Sequence, residues 1–123
     1  GKDIVLEDGR IIENDQLTFD PVPAKNYAFC SDTVYNEAIL PIIENIDVLY
    51  HESTFLQSEE NLAKKTLHST AKEAATIALK ANAKQLILGH YSTRYESIEL
   101  FKEEAETIFP EVLLADDGKS FEF

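Results

Sequence analysis

Apolar residues fall into short continuous runs separated by longer stretches with helical spacing. Tyr27-Ala28-Phe29-Cys30, Val48-Leu49-Tyr50 and Gln85-Leu86-Ile87-Leu88 read as short strands of the buried type. Val112-Leu113-Leu114-Ala115 is a further apolar run, followed by turn residues Asp116-Asp117-Gly118. Between these runs the pattern predicts helices. One covers Asn36 to Ile43, with Pro41 leaving its end open, and another Ser58 to Lys65. The alanine-rich run from Ala71 to Ala81 follows Thr70-Ala71-Lys72-Glu73, where threonine and glutamate can satisfy the free amides of a helix start. Ile98 to Phe109 carries Ile98, Phe101, Ala105 and Ile108 at helical spacing and stops at Pro110. The first 20 residues predict a hairpin, with Asp8-Gly9 turning between Ile4-Val5 and Ile11-Ile12. Pro21-Val22-Pro23 makes a stiff connection. Strands alternating with helices predict an α/β layered fold. The expected organisation is a single domain over residues 1–123, a hairpin (1–20) followed by an α/β part (27–123).

Length and composition bound what such a domain can do. A chain of 123 residues is about one domain, and 44% hydrophobic with 28% charged residues is ordinary for a globular one. No apolar run approaches the roughly 20 residues of a membrane helix, so no membrane partner is expected. One cysteine, Cys30, excludes an internal disulfide and suits a reducing compartment, so cytoplasm is the expected location. Eleven basic against 23 acidic side chains give a net charge of −12, the wrong sign for a free-standing nucleic-acid module. The chain opens Gly1-Lys2-Asp3 without methionine, which suggests that residue 1 is not a natural start.

The polar residues with chemistry collect where the runs end. Ser31-Asp32-Thr33 follows the first, His51-Glu52-Ser53-Thr54 the second and Gly89-His90-Tyr91-Ser92 the third, while His68-Ser69-Thr70 opens the alanine-rich helix. In open α/β sheets ligands sit beyond the carboxyl ends of the strands. A carboxylate can bridge two divalent cations, neutral imidazoles complete the coordination, and the metals make hydroxide available near neutral pH. A further histidine can then protonate a leaving oxygen, held by a neighbouring carboxylate. Asp32 and His90 are the ligand candidates; His68 and Glu52 are the acid pair.

In this order, Ser31-Asp32-Thr33, His51-Glu52-Ser53-Thr54, His68-Ser69-Thr70-Ala71 and Gly89-His90-Tyr91-Ser92-Thr93-Arg94-Tyr95 closely resemble ribonuclease Z, the tRNA 3′-processing endonuclease family of the metallo-β-lactamase superfamily. The resemblance spans roughly residues 27 to 116. It implies the C-terminal half of a metallo-β-lactamase-type αβ/βα sandwich. It also implies a zinc-dependent endoribonuclease that removes 3′ trailers from precursor tRNA. Asp32 resembles the aspartate bridging two zinc ions, His90 the last histidine ligand, His68 the proton donor, and Glu52 the glutamate that orients it. Arg94 and Ser92 resemble phosphate-contacting positions. The family's His-x-His-x-Asp-His motif has no counterpart here, since the three histidines stand alone at 51, 68 and 90. The resemblance therefore implies that most ligands, and the arm that grips tRNA, belong to a missing N-terminal half. The chain alone is expected to be inactive, to retain no zinc and to pair with a second copy of itself.

Each candidate also has a structural reading. Asp32 can cap a turn, Ser69 and Thr70 can cap a helix, His51 can bond to backbone, and Cys30 can simply fill core. Glu103, Glu104 and Glu106 are expected to form a solvated helix face. Two alternatives remain beside the tRNA nuclease. One is another metallo-β-lactamase-fold hydrolase acting on a small ester or phosphodiester, and the other a non-catalytic module that folds and self-associates.

Overall fold

The computed structural model describes residues 24–122 and the backbone of Ile4–Val5 and Ile11–Ile12. Those two segments, β1 and β2, pair antiparallel, with Ile4 opposite Ile12 and Val5 opposite Ile11. This is the pairing expected of the hairpin; its turn at Asp8-Gly9 and the Pro21-Val22-Pro23 connection lie outside the described residues.

Four further strands form one parallel sheet in sequence order: β3 (Tyr27–Cys30), β4 (Val48–Glu52), β5 (Gln85–Gly89) and β6 (Val112–Leu114). The Val112 run is thus a full member of the sheet. Four α-helices lie between the strands: α1 (Leu40–Ile43), α2 (Glu60–Thr66), α3 (Ala71–Lys80) and α4 (Glu99–Ala105). Helices α3 and α4 cover one face of the sheet. Ala71, Ala74, Ala75, Ile77 and Ala78 meet Leu49, Leu86 and Leu88, while Phe101 and Ala105 join Val112 and Leu114 in the same core. The alanines let α3 lie close to the strands.

The helix boundaries shift for identifiable reasons. Residues 37–43 begin as a 3₁₀ turn capped by the Asn36 side chain and become α-helical only at Leu40. Pro41 therefore lies in the first turn of α1, where its missing N–H costs nothing. The second helix likewise starts as a 3₁₀ turn at Gln57–Glu59. It ends at Leu67, which adopts the left-handed conformation with φ 63°. The predicted capping box of α3 is present: the Thr70 hydroxyl accepts from the Glu73 amide at 3.1 Å and the Glu73 carboxylate accepts from the Thr70 amide at 3.0 Å. Helix α4 stops at Ala105, short of Phe109, because the amides of Thr107 and Ile108 turn to carbonyls three residues back.

The acidic face of α4 departs from expectation. Glu104 accepts the backbone amides of Gln57 (2.8 Å) and Lys72 (3.0 Å), so it fastens α4 to the starts of two other elements. Glu106 accepts the Val112 amide at 3.1 Å. Only Glu103 behaves purely as a solvated residue. Cys30 packs half-buried against the core, and burial pushes its thiol pKa up.

Strand alternation places Tyr27, Phe29 and Tyr50 on the face opposite α3 and α4. Phe29 stacks on Tyr50 with ring centroids 4.5 Å apart, yet Tyr27 and Phe29 remain 50% and 64% exposed. Gly89 admits this packing. A Cβ there would lie 2.1 Å from the Tyr50 hydroxyl oxygen, so any larger residue requires the ring to shift.

Candidate metal centre

All strands being parallel, their carboxyl ends share one edge, and the candidate residues gather there. Asp32 follows β3, Glu52 ends β4, His68 lies between α2 and α3, and His90 follows β5. One ligand atom from each of these four residues lies within 4.8 Å of the other three.

Three local devices deliver them. Asp32 and His90 both leave their strands in the left-handed conformation, with φ 52° and 61°, a region that non-glycine residues adopt rarely and often at functional sites. The left-handed Leu67 ends α2 and turns the chain back, with the His68 amide bonded to the Ala63 carbonyl at 2.8 Å. The segment after His68 is then tied to the continuation of β4. The Phe55 amide donates to Ser69 O (3.3 Å) and the Ala71 amide to Phe55 O (2.9 Å). Behind His90, the Tyr91 hydroxyl lies 2.7 Å and 2.9 Å from the carbonyls of Leu88 and Ala115.

Glu52 is the hub. Strand β4 runs through His51 and Glu52 rather than stopping at Tyr50, and both are fully buried. Its Oε1 accepts from the Thr33 amide (2.9 Å) and His68 Nδ1 (2.8 Å). Its Oε2 accepts from the Thr54 hydroxyl (2.6 Å) and the Ser69 amide (3.1 Å). Burial alone would raise its pKa; the hydrogen bonds from Thr54, Ser69, His68 and Thr33 outweigh that and leave it below the usual value. A carboxylate with four donors already in place is a poor metal ligand and a firm anchor for its neighbours.

His68 donates Nδ1 to this anchor, stacks on His90 at 5.3 Å between centroids and meets the edge of Phe55 at 6.4 Å. His90 Nδ1 lies 2.8 Å from the Thr54 hydroxyl and its Nε2 3.7 Å from Asp32 Oδ1. Asp32 and the outer side of His90 are open to solvent. A cleft of about 270 Å³ lined by Tyr50, Gly89, His90 and Asp116 adjoins them. A larger one, about 590 Å³, lies away from the four clustered residues, between Tyr35, Lys64, Lys72 and Thr76.

With this geometry in view, the sequence has telling relatives. Ribonuclease Z of Parabacteroides distasonis is 49% identical over 118 residues, 96% of this chain and 39% of the relative. That of Porphyromonas gingivalis is 48% identical over 117 residues, 95% of this chain and 38% of the relative. The chain belongs to the ribonuclease Z family. It spans under two-fifths of the length of these relatives. No family model matches it. Among solved structures, the metallo-beta-lactamase fold protein YhfI from Bacillus subtilis superposes with a TM-score of 0.68 at 29% identity, over 74% of this chain and 37% of that one. A long form RNase Z from yeast gives 0.53 at 33% identity, over 61% of this chain and 10% of that one. The fold is thus part of a metallo-β-lactamase fold.

Arg94 and Ser92 stand outside the four-residue cluster. The Arg94 guanidinium lies 5.4 Å over the Phe55 ring, whose edge meets His68, and 3.6 Å from Glu59. The Ser92 amide donates to Thr54 O at 2.9 Å, and its hydroxyl accepts from the Arg94 amide at 3.4 Å. His51 bonds to backbone as its structural reading expects, its Nδ1 2.7 Å from Glu52 O. Thr70 caps α3, but Ser69 does not: its hydroxyl donates to Thr33 O at 2.6 Å, locking the Asp32 loop against the His68 segment. Sequence reasoning gave Thr54 no role, although its position two residues beyond Glu52 was in plain view.

Proposed function

We propose that this chain carries part of the active site of a zinc-dependent endoribonuclease that cleaves 3′ trailers from precursor tRNA. The observation that carries the reading is the gathering of Asp32, His68 and His90 around a buried, fully bonded Glu52. The relatives named ribonuclease Z favour a tRNA substrate over a small ester or phosphodiester.

The donor chemistry fits zinc: one exposed carboxylate and an imidazole nitrogen face each other at 3.7 Å, and zinc takes both ligand types. Asp32 and His90 would hold it. Among the described residues these two are too few to close even one tetrahedral shell, and the remaining ligands are proposed to come from a further part of the protein. Zinc, when bound, supplies hydroxide near neutral pH and polarises a phosphoryl oxygen. His68 is held by Glu52 through Nδ1, which leaves Nε2 to carry the proton for the leaving oxygen. Glu52 is the positioning residue, fixing the ring by a hydrogen bond to its fully buried carboxylate. Arg94, steadied on Phe55, attracts a backbone phosphate, and Ser92 offers it a hydroxyl. In the full-length protein, His68→Ala should depress precursor tRNA cleavage by at least 100-fold while zinc content stays close to wild type. Equal loss of both would make His68 a ligand and overturn this assignment.

The isolated chain is proposed to be inactive, to bind zinc weakly and to form a homodimer, the exposed Tyr27 and Phe29 supporting association. No helix among the described residues is long and apolar enough to cross a membrane. A cytoplasmic location is proposed on the single unpaired cysteine.

A further inference from the structure

We propose that Thr54 is a positioning residue that fixes which nitrogen of His90 is free to coordinate, and that it does so on behalf of Glu52. The inference rests on the reading of His90 as a ligand. Thr54 is buried, and its hydroxyl oxygen lies 2.6 Å from Glu52 Oε2 and 2.8 Å from His90 Nδ1. A hydroxyl has one proton to donate and two lone pairs to accept with. Glu52 takes donors on both oxygens and is held in its ionised form by them, so it has no proton to offer. The Thr54 proton must therefore point at Glu52. The contact with His90 can then be a hydrogen bond in only one sense, with His90 Nδ1–H donating to the Thr54 oxygen.

That assignment decides the other end of the ring. A neutral His90 with its proton on Nδ1 has a lone pair on Nε2, and Nε2 is the atom facing Asp32 Oδ1 at 3.7 Å. Two acceptors facing each other without a proton between them form a seat for a cation. Ligand atoms on a tetrahedral zinc with bonds of about 2.0–2.1 Å stand about 3.3 Å apart, close to the observed separation. Without the threonine hydroxyl, Nδ1 loses its acceptor. The ring can then move its proton to Nε2, where the Asp32 carboxylate accepts it and coordination is blocked.

Glu52 thereby sets both histidines at once. It holds His68 directly through Nδ1 and His90 indirectly through Thr54, which leaves Nε2 as the other nitrogen of each ring. Partners of this kind typically change metal affinity 10- to 100-fold when removed.

The test reads tautomers by ¹⁵N-detected NMR on the full 123-residue chain without metal, at a pH where imidazoles are neutral. Wild type should show His90 protonated on Nδ1. Thr54→Ser should keep that signal. Thr54→Val, nearly isosteric, should lose it in favour of protonated Nε2. A wild-type His90 protonated on Nε2 overturns the proposal, as does a folded Thr54→Val chain with an unchanged tautomer. Should Thr54→Val fail to fold, the wild-type and Thr54→Ser spectra still decide. In the full-length protein, titrated with zinc alone, Thr54→Val should weaken binding about 10- to 100-fold and Thr54→Ser hardly at all. Undiminished zinc affinity in Thr54→Val would overturn the link between tautomer and coordination. A wild-type protein that binds no zinc, yet shows Nδ1–H on His90, would sink the proposed function and leave the tautomer assignment standing.

Discussion

At the scale of single residues, the site depends on a carboxylate that touches no bulk water. Glu52→Gln keeps the shape but puts an amide NH₂ against donors on whichever oxygen it replaces. Two donors then lose their acceptor, and the change should cost about 1–3 kcal/mol by urea denaturation. His51, its neighbour, has a different liability. Burial depresses its pKa below the ordinary 6.5, more than the Glu52 carbonyl and carboxylate raise it. Its Nδ1 donates to the Glu52 carbonyl, while its Nε2 has no hydrogen-bond partner among the described residues. The unfolded chain takes up a proton near 6.5, whereas the folded chain resists until lower pH. Stability from this residue is therefore complete above about 6.5 and drains as pH falls towards the folded value. Urea midpoints measured down from pH 7.5 should decline, and His51→Gln should flatten the decline between pH 6.5 and 5. An identical slope in the variant would assign the acid sensitivity to other groups. Chemistry of this sort was partly legible in the sequence. Residue type and position, at a strand end for Asp32, Glu52 and His90 and at a helix start for His68, singled out these four. What sequence could not convey was hydrogen-bond direction: Thr54, and the amides of Thr33 and Ser69, matter because of where the fold aims them.

At the scale of elements, legibility followed the locality of the cause. The capping box of α3 is written in four adjacent residues, and it formed. Thr70→Ala should cost about 1 kcal/mol in thermal or chemical denaturation. Glu104 was misread because its partners, the amides of Gln57 and Lys72, lie 47 and 32 residues away. Helical spacing shows which face of α4 is polar, not what that face meets. Glycine 89 was equally silent, a link in a motif whose demand for a hydrogen side chain comes from Tyr50 on the next strand. Gly89→Ala should destabilise the chain by about 1–3 kcal/mol. A Tyr50→Ala background should remove much of that penalty, so the double-mutant cycle should show coupling of at least about 0.5 kcal/mol. Additive effects would mean that the ring moves aside freely.

At the scale of the whole molecule, the sheet has one face under α3 and α4 and another where Tyr27 and Phe29 stay half open. In light scattering the isolated chain should gain mass with concentration, and Phe29→Lys should reduce the gain. A stable monomer at high concentration would end the homodimer proposal. The strand order β3-β4-β5-β6 is also the order of synthesis. Each new strand has its neighbour waiting, so the sheet can grow by addition at one edge as the chain leaves the ribosome. Asp32 emerges first, then Glu52 and Thr54, then His68, and His90 last. A nascent chain halted before Gly89 would hold Glu52 and His68 but lack the His90 imidazole that contacts Thr54. The metal seat proposed between Asp32 and His90 would thus assemble only after β5 has emerged and joined the sheet.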